Sequence, residues 1–199
     1  MNIDEFIKIA TSQPPLSKNR RISVPGTELK AILQSGHPIT VAEIMKHPDQ
    51  TYEVRNYVYG YILESGASKE AISKWQSEYP SLHLPDDLKV LLERINGIHL
   101  WADLEQKQSY FGILPLAQWC DMALWGWAVL FEEIPAGKVV MSYHNNGDFY
   151  LVLDTAECKY YWYDTEDIDR PTLIGSSVEQ LLSWWWNESQ ELDPRNESG

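Results

Sequence analysis

The chain has 199 residues, of which 16 are Lys or Arg and 29 are Asp or Glu, giving a formal net charge of −13. This balance argues against nucleic acid as a partner, because binding a phosphate backbone requires clustered Lys and Arg. A chain of this length forms one domain, or a domain with an appendage, and buries enough surface to need no metal or disulfide. The negative charge has two interpretations: solubility alone, or electrostatic attraction of a basic partner.

The two cysteines, Cys120 and Cys158, do not form a metal-binding or redox motif. They indicate a cytoplasmic chain with reduced thiols, and the first residues lack the basic start and apolar core of a secretion signal. The longest apolar stretch, Trp119–Phe131, is too short to cross a bilayer and contains Asp121. We therefore predict a cytoplasmic location and no membrane contact.

Residues 1–66 are predicted to form a helical extension. The first helix is expected at the N-terminus, with Asn2 as its cap and with apolar residues on one face, namely Ile3, Phe6, Ile7 and Ala10. A second helix is predicted for Thr27–Gln34, and a third behind a capping box of Thr40 and Glu43. The stretch from Tyr52 to Gly66 is also predicted to be helical, because apolar residues recur there at helical spacing: Val54, Tyr57, Val58, Tyr61 and Ile62.

Residues 67–190 mix helix and strand patterns. A short helix ended by Pro80 precedes the segment LPDDLKVLLERING, whose apolar residues have helical spacing: Leu88, Leu91, Leu92 and Ile95. Pro85 suits the first turn of this helix, and Gly97 is expected in a left-handed conformation just beyond its end. A fold element therefore explains this glycine without any ligand.

Strands dominate the rest of this region. IHLW and YFGILPL read as strands, KVVMSYHNNGDFYLVLD as a hairpin and CKYYWYDT as a further strand, with a short helix after Leu116. The last helix is predicted to start at a capping box of Ser176 and Glu179. Residues 191–199 are polar and are predicted to form a flexible tail.

No motif for catalysis, cofactor binding or metal binding is present. The glycines are scattered, so both phosphate-binding glycine motifs fail, and the serine-hydrolase elbow and the paired-histidine zinc motif are absent. The five histidines lie far apart in sequence, and Asp121 beside Cys120 raises rather than lowers the pKa of that thiol. We therefore predict a non-catalytic protein without a cofactor.

Two features are candidates for contact with a partner. The first is an acidic loop with four carboxylates, Asp164, Glu166, Asp167 and Asp169, whose spacing does not match a calcium-binding loop. It is either a solvated loop or a recognition surface for a basic protein. The second is the pair Trp184 and Trp186, which point about 100° to either side of Trp185 on the last helix. They either pack at the edge of the core or contact a partner.

Four segments in this order resemble the SUKH superfamily. They are LPDDLKVLLERING, which resembles the family's Leu-Pro-x-Asp helix closing in Asn-Gly, the strand YFGILPL, the hairpin VVMSYHNNGDFYLVLD and the closing helix SSVEQLLSWW. The family takes in fungal cell-wall-synthesis regulators and bacterial immunity proteins of polymorphic toxin systems. The resemblance implies an α+β fold, with a central mixed or antiparallel sheet and helices packed around it. Residues 1–66 lie outside it.

The resemblance also implies a protein-binding module rather than an enzyme. For a bacterial chain it implies an immunity protein that inhibits a cognate toxin, often a nuclease, and the acidic composition suits a basic toxin domain. The alternative is a regulatory scaffold that binds endogenous proteins, as in the fungal branch.

Overall fold

The computed structural model of the protein describes residues 1–22, 44–46, 52–104, 111–124, 137–143, 149–167 and 169–191. These residues contain four α-helices: α1 (Ile3–Ser12), α2 (Lys69–Glu78), α3 (Asp86–Arg94) and α4 (Val178–Glu191). They also contain ten strands: β1 (Leu16–Ile22), β2 (Ile44–Lys46), β3 (Tyr52–Ser65), β4 (Ile95–Asp103), β5 (Phe111–Ile113), β6 (Cys120–Asp121), β7 (Lys138–Tyr143), β8 (Phe149–Asp154), β9 (Lys159–Asp164) and β10 (Thr172–Gly175). The α+β class is therefore confirmed.

The strands form two antiparallel sheets rather than one central sheet. The first sheet has the order β1-β3-β4-β5, with β2 paired to β3, and the second has the order β10-β9-β8-β7-β6. The sheets meet where β5 approaches β7: the Leu114 N–H donates to the Met141 carbonyl at 3.0 Å, and the Ser142 hydroxyl donates to the Gly112 carbonyl. Buried residues of both sheets lie in one hydrophobic cluster with the helices, and alternate residues of the second sheet form a separate cluster with Met122.

The N-terminal helix is confirmed and is part of that core. The Asn2 side chain accepts a hydrogen bond from the Glu5 N–H at 2.9 Å and so caps α1. Phe6 and Ala10 are buried with residues of α3, α4 and both sheets, and the Arg94 side chain lies 2.5 Å from the Asp4 carboxylate. Helix α1 therefore packs against the helices that follow, while the predicted division of the chain at residue 66 stays a prediction.

The helix predicted for Tyr52–Gly66 is wrong. These residues form the long strand β3, whose first half pairs with β1 and β2 and whose second half pairs with β4. The apolar residues fit a helical spacing, but the segment is rich in Tyr, Val and Ile, which favour strands and gain from cross-strand packing. Ile44 and Met45, expected to follow a capping box in a helix, begin strand β2. The predicted helix at Thr27–Gln34 and the capping box itself lie outside the described residues.

The helix in LPDDLKVLLERING is confirmed, but the predicted role of Gly97 is wrong. Helix α3 ends at Arg94, and β4 begins at once with Ile95, so Gly97 lies inside a strand. Its φ of 148° is one that side chains disfavour, and a Cβ there would lie 3.0 Å from the Glu64 side chain on β3. The glycine therefore permits close approach of two strands rather than ending the helix.

The second sheet confirms the predicted hairpin and the strand after it. β7 pairs with β8, and β8 pairs with β9 in continuous register. A short 3-10 helix at Leu116–Gln118 confirms the predicted helix after Leu116. The hairpin turn and residues 192–199 lie outside the described part of the chain, so the flexible tail stays a prediction.

Candidate partner-binding surface

Helix α4 carries both candidate tryptophans, and its start is fixed by residues that the sequence prediction misplaced by one position. Ser177, rather than Ser176, caps the helix: its hydroxyl accepts from the Gln180 N–H at 3.3 Å. The Gln180 side chain in turn accepts from the Ser176 N–H at 2.8 Å, so Gln180 rather than Glu179 bonds to the residues at the helix start.

A single carboxylate joins the starts of two helices. Asp87 accepts from the Leu88 N–H at 2.9 Å in α3 and from the Val178 N–H at 2.8 Å in α4. The free N–H groups at a helix start carry partial positive charge, so one carboxylate stabilises both ends. Asp87 is the Asp of the Leu-Pro-x-Asp segment, and its position shows a structural role for that motif. The bond from Val178 spans 91 positions of the chain, so no local sequence pattern indicates it.

The three consecutive tryptophans of α4 have different surroundings. Trp185 is fully buried in the core, whereas Trp184 and Trp186 are half-buried. Trp186 lies edge-on to Phe6 of α1, at a centroid distance of 6.3 Å, and to Tyr61 of β3, at 5.6 Å. It fills the junction of α1, β3 and α4, which is the edge packing considered for it from sequence.

Trp184 lies on the other flank of α4, against the second sheet. Its ring centroid is 5.2 Å from that of Trp162 on β9, and Trp162 stacks on Phe149 of β8 at 5.6 Å with an angle of 11° between the rings. We call these three residues, Phe149, Trp162 and Trp184, the aromatic ladder. Trp184 and Trp186, predicted together as one contact pair, therefore belong to separate clusters.

The acidic loop follows β9 directly and adjoins the ladder. Asp164 pairs in register with Phe149, so the loop begins where the ladder ends. The Asp164 side chain accepts from the Glu166 N–H at 2.9 Å, and its carbonyl accepts from the Asp167 N–H at 3.2 Å. Asp164 thus shapes the turn, while the side chains of Glu166, Asp167 and Asp169 are exposed. The structure brings four predicted carboxylates and Trp184 to neighbouring positions.

An open groove lies beside this region, between β10 and α4. Its volume is about 640 Å³. We call it the β10–α4 groove; it is lined by Met1, Ile174, Ser177, Glu179, Gln180, Ser183, Trp184 and Asn187. The groove and the ladder were not predicted from the sequence, although pairing β8 in register with the next predicted strand, β9, places Phe149 diagonally across from Trp162.

A second, smaller cleft of about 360 Å³ lies beside α2 and has Trp75, Tyr79 and Trp119 in its lining. The Trp75 indole N–H donates to the Trp119 carbonyl at 3.4 Å, and the Trp119 indole N–H donates to the Leu114 carbonyl at 2.7 Å. These bonds fasten α2 to the second sheet. The tryptophans of this cleft therefore have a packing role.

Three observations describe the ionisable groups within the described ranges. No group of three or more His, Cys, Asp and Glu residues there is placed to hold a metal ion. Burial, and secondarily the charge of Asp121, raises the pKa of Cys120 to about 11, so this thiol stays protonated at neutral pH. His99 lies 2.9 Å from the Glu64 carboxylate, across the β3–β4 pair.

The best-formed ion pair lies on β7 and β8. The Lys138 ammonium is 2.6 Å from the Asp154 carboxylate, and both side chains are nearly buried, at 12% and 13% exposure. Burial is the largest single influence and opposes both charges, but the opposing causes together outweigh it. The mutual hydrogen bond, the Lys138 charge and the Glu157 and Ala156 N–H groups lower the pKa of Asp154, and the same hydrogen bond with the Tyr163 and Asp154 charges raises the pKa of Lys138. Asp154 also accepts from the Ala156 and Glu157 N–H groups, each at 3.0 Å, and thereby holds the β8–β9 turn.

Comparison with known proteins complements this geometry. None of the helices in the described ranges has the length and apolar character needed to cross a membrane. A search of curated proteins finds no match to this sequence. The model of the SMI1/KNR4 family (SUKH-1) matches residues 66–184, which include α2, α3, the second sheet and the first half of α4. Because this match spans more than half of the chain, the protein belongs to the SMI1/KNR4 family (SUKH-1).

Proposed function

We propose that this protein is a non-catalytic, cytoplasmic protein-binding module, and specifically an immunity protein that neutralises a basic toxin domain. Family membership supports a protein-binding role. The observation that carries the finer assignment is the acidic turn after β9: three exposed carboxylates, Glu166, Asp167 and Asp169, follow the strand that carries Trp162 of the aromatic ladder, on a chain of net charge −13. Aromatic side chains ringed by charge are common at protein interfaces.

Electrostatics favours a nuclease as the toxin. A nuclease site attracts phosphate and therefore carries positive potential, which an acidic surface can occupy in place of the substrate. Complementary charge mainly raises the association rate and excludes wrong partners, whereas desolvated aromatic contacts add most of the affinity. In this proposal the turn guides the encounter and the ladder anchors the complex.

The first experiment is a pull-down of the tagged protein from its native host at low and high salt, read by mass spectrometry. The immunity assignment predicts one basic, toxin-like protein that is lost at high salt. The captured protein is then used in kinetic measurements with a turn variant, Glu166→Gln, Asp167→Asn and Asp169→Asn. Asp164 is left intact because its side chain shapes the turn.

A matched control removes the same number of exposed carboxylates elsewhere, by Glu5→Gln, Glu70→Gln and Glu93→Gln. The turn variant should lower the association rate about tenfold at low salt and flatten its salt dependence, while the control changes the rate far less. Equal association rates for the two variants would refute a role of the turn in recognition.

The second candidate function is a regulatory scaffold for endogenous proteins. It is favoured by α1 and β1–β3, which lie before the matched residues 66–184 and add to the first sheet. Such a surface beyond the family match gives room for a second partner. Capture of several endogenous proteins at both salt concentrations would support the scaffold over the immunity protein, and substrate turnover by the purified protein would contradict both.

A further inference from the structure

We propose that the β10–α4 groove binds an extended, cationic segment of the protein partner, which adds as a strand to the outer edge of β10. This inference rests on the proposed function and names the surface and the chemistry of its contact. Three independent features carry it: the edge of β10, the lining of the groove and the sign of the surrounding charge.

The first feature is the outer edge of β10. β10 is the terminal strand of the second sheet and pairs with β9 on one side, with an irregular register between Leu173 and Gly175. Among the described residues, no strand pairs with its other side. Where an antiparallel strand is regular, alternate residues direct their N–H and C=O groups away from the paired neighbour, and such groups are a template for another strand. Leu173, at 54% exposure, adds an apolar side chain to this edge.

The groove beside this edge suits an extended chain. Ile174 and Trp184 provide apolar contact, and Gln180, Ser183 and Asn187 provide polar groups along the helix. The lining runs from Ser177 to Asn187 on α4, which is about 15 Å at the helical rise per residue. A strand advances about 3.3 Å per residue, so this length fits roughly four or five residues of a partner.

The charge around the groove selects a basic segment. Glu179 lines the groove and is exposed, and the acidic turn with Glu166, Asp167 and Asp169 leads directly into β10. Against these four carboxylates stand the exposed Arg170 and the amino group of Met1, which donates to the Ser183 hydroxyl at 2.6 Å. The net charge of −13 opposes a second copy of this chain at the same edge. A segment that alternates Lys or Arg with apolar residues matches both the carboxylates and the apolar lining.

The test uses a fluorescein-labelled octapeptide of alternating Lys and Val, with blocked ends, and measures its affinity for the full chain by fluorescence anisotropy. Two further peptides carry N-methyl groups on all Lys residues or on all Val residues. Only one edge of an added strand pairs with β10, so one methylated peptide should bind at least about tenfold more weakly and the other should bind nearly as well as the parent. A Glu–Val peptide should not bind.

The result that would overturn the inference is no binding of the Lys–Val peptide at about 1 mM, or equal affinity of the two methylated peptides, which indicates attraction by charge alone. Amide hydrogen exchange places the site: residues 172–175 should gain protection with the peptide bound. Protection confined to other residues also overturns the inference.

Protein variants separate this inference from the proposed function. Ser183→Trp fills the groove, and Ser73→Trp makes the same change at an exposed position of α2. Ser183→Trp should abolish peptide binding and weaken capture of the partner, and Ser73→Trp should do neither. If Ser183→Trp captures the partner as well as the wild type, the protein-binding function stands and the groove inference fails. If the wild type captures no protein, the proposed function fails, and the methylated peptides still decide whether the β10 edge accepts a strand.

Discussion

The two flanks of α4 differ although each carries a tryptophan, Trp184 on one and Trp186 on the other. On one flank Trp186 contacts Phe6 and Tyr61, so three separate segments of the chain close around it. On the other flank Trp184 contacts Trp162 but also lines the open β10–α4 groove. Both side chains are half-buried, yet one joins elements of the fold and the other borders an accessible surface.

Exposure alone therefore does not identify a contact residue. Trp186 is exposed at the edge of a junction whose remaining sides are occupied by the N-terminal helix and the first sheet. Trp184 is exposed toward a groove with an acidic border and a strand edge, which are features that a partner can use. We therefore expect a substitution of Trp186 to lower mainly the stability and a substitution of Trp184 to lower mainly the affinity for a partner.

The largest expected effect is on stability, at Trp186. Trp186→Ala removes the ring that joins α1 and β3 to α4 and should lower the free energy of unfolding by about 3 kcal/mol, measured by urea denaturation. Trp184→Ala should lower it by roughly half as much, because part of that ring already faces the open groove. In contrast, affinity for the Lys–Val peptide should fall about tenfold for Trp184→Ala and stay unchanged for Trp186→Ala.

A loss of peptide affinity in Trp186→Ala is the outcome that would remove the distinction between the flanks. If Trp186→Ala weakened peptide binding at concentrations of urea where the variant is fully folded, the contact surface would extend across α4. A circular dichroism spectrum of each variant provides the check of folding.

The next effect concerns Asp87, which sets the position of the helix that carries both flanks. Asp87→Ala leaves the Leu88 and Val178 N–H groups without their acceptor and should cost about 2 kcal/mol of unfolding free energy. Asp86→Ala is the matched control, because that carboxylate lies at the same helix start but is exposed, with the Lys89 ammonium 3.0 Å away. The control should cost about 0.5 kcal/mol or less, and equal costs for the two variants would contradict a joint cap.

Much of the region from residue 67 onward could be predicted because its patterns are local. The apolar spacing of α3, the hairpin of β7 and β8 and the strand β9 each follow from residues close in sequence. The position of Gly97 could not be predicted in this way, because its constraint is the Glu64 side chain on another strand. The cap of α4 was displaced by one residue, since Ser176 and Ser177 fit the same motif.

The long strand β3 shows why residues before 67 were less predictable. Its apolar residues fit both a helical stripe and a strand, and the choice depends on pairing with β4, which lies more than thirty residues later. The candidate site was hard to predict for the same reason, because it depends on residues far apart in sequence. The acidic turn was visible in the sequence, but its place at the end of the aromatic ladder depends on the pairing of Asp164 with Phe149, which lie on separate strands.

The smallest expected effect lies away from both flanks, in the ion pair of Lys138 and Asp154. Asp154→Asn keeps an acceptor for the Ala156 and Glu157 N–H groups but leaves the nearly buried ammonium without a carboxylate. We expect a loss of about 1.5 kcal/mol of unfolding free energy at pH 7 and unchanged affinity for the peptide. Lys159 and Glu157, 2.8 Å apart on the surface, are the control pair, and Glu157→Gln should have no measurable effect on stability.

The dependence on pH distinguishes the charge of Asp154 from its size. Its pKa in the folded protein is lowered from 3.8, so its ionic contribution is complete above that value and is lost as the pH falls through the lower, folded-state pKa. Lys138 has a raised pKa, so its contribution is complete below 10.5 and is lost as the pH rises through the higher, folded-state pKa. The stability difference between wild type and Asp154→Asn should therefore be constant from about pH 5 to 9 and shrink toward pH 3, as Asp154 is protonated first in the unfolded and then in the folded chain. If the difference stayed constant down to about pH 2, the loss of stability would come from packing rather than from charge. If the same variant also lost affinity for the peptide, the ion pair would contribute to the β10–α4 groove.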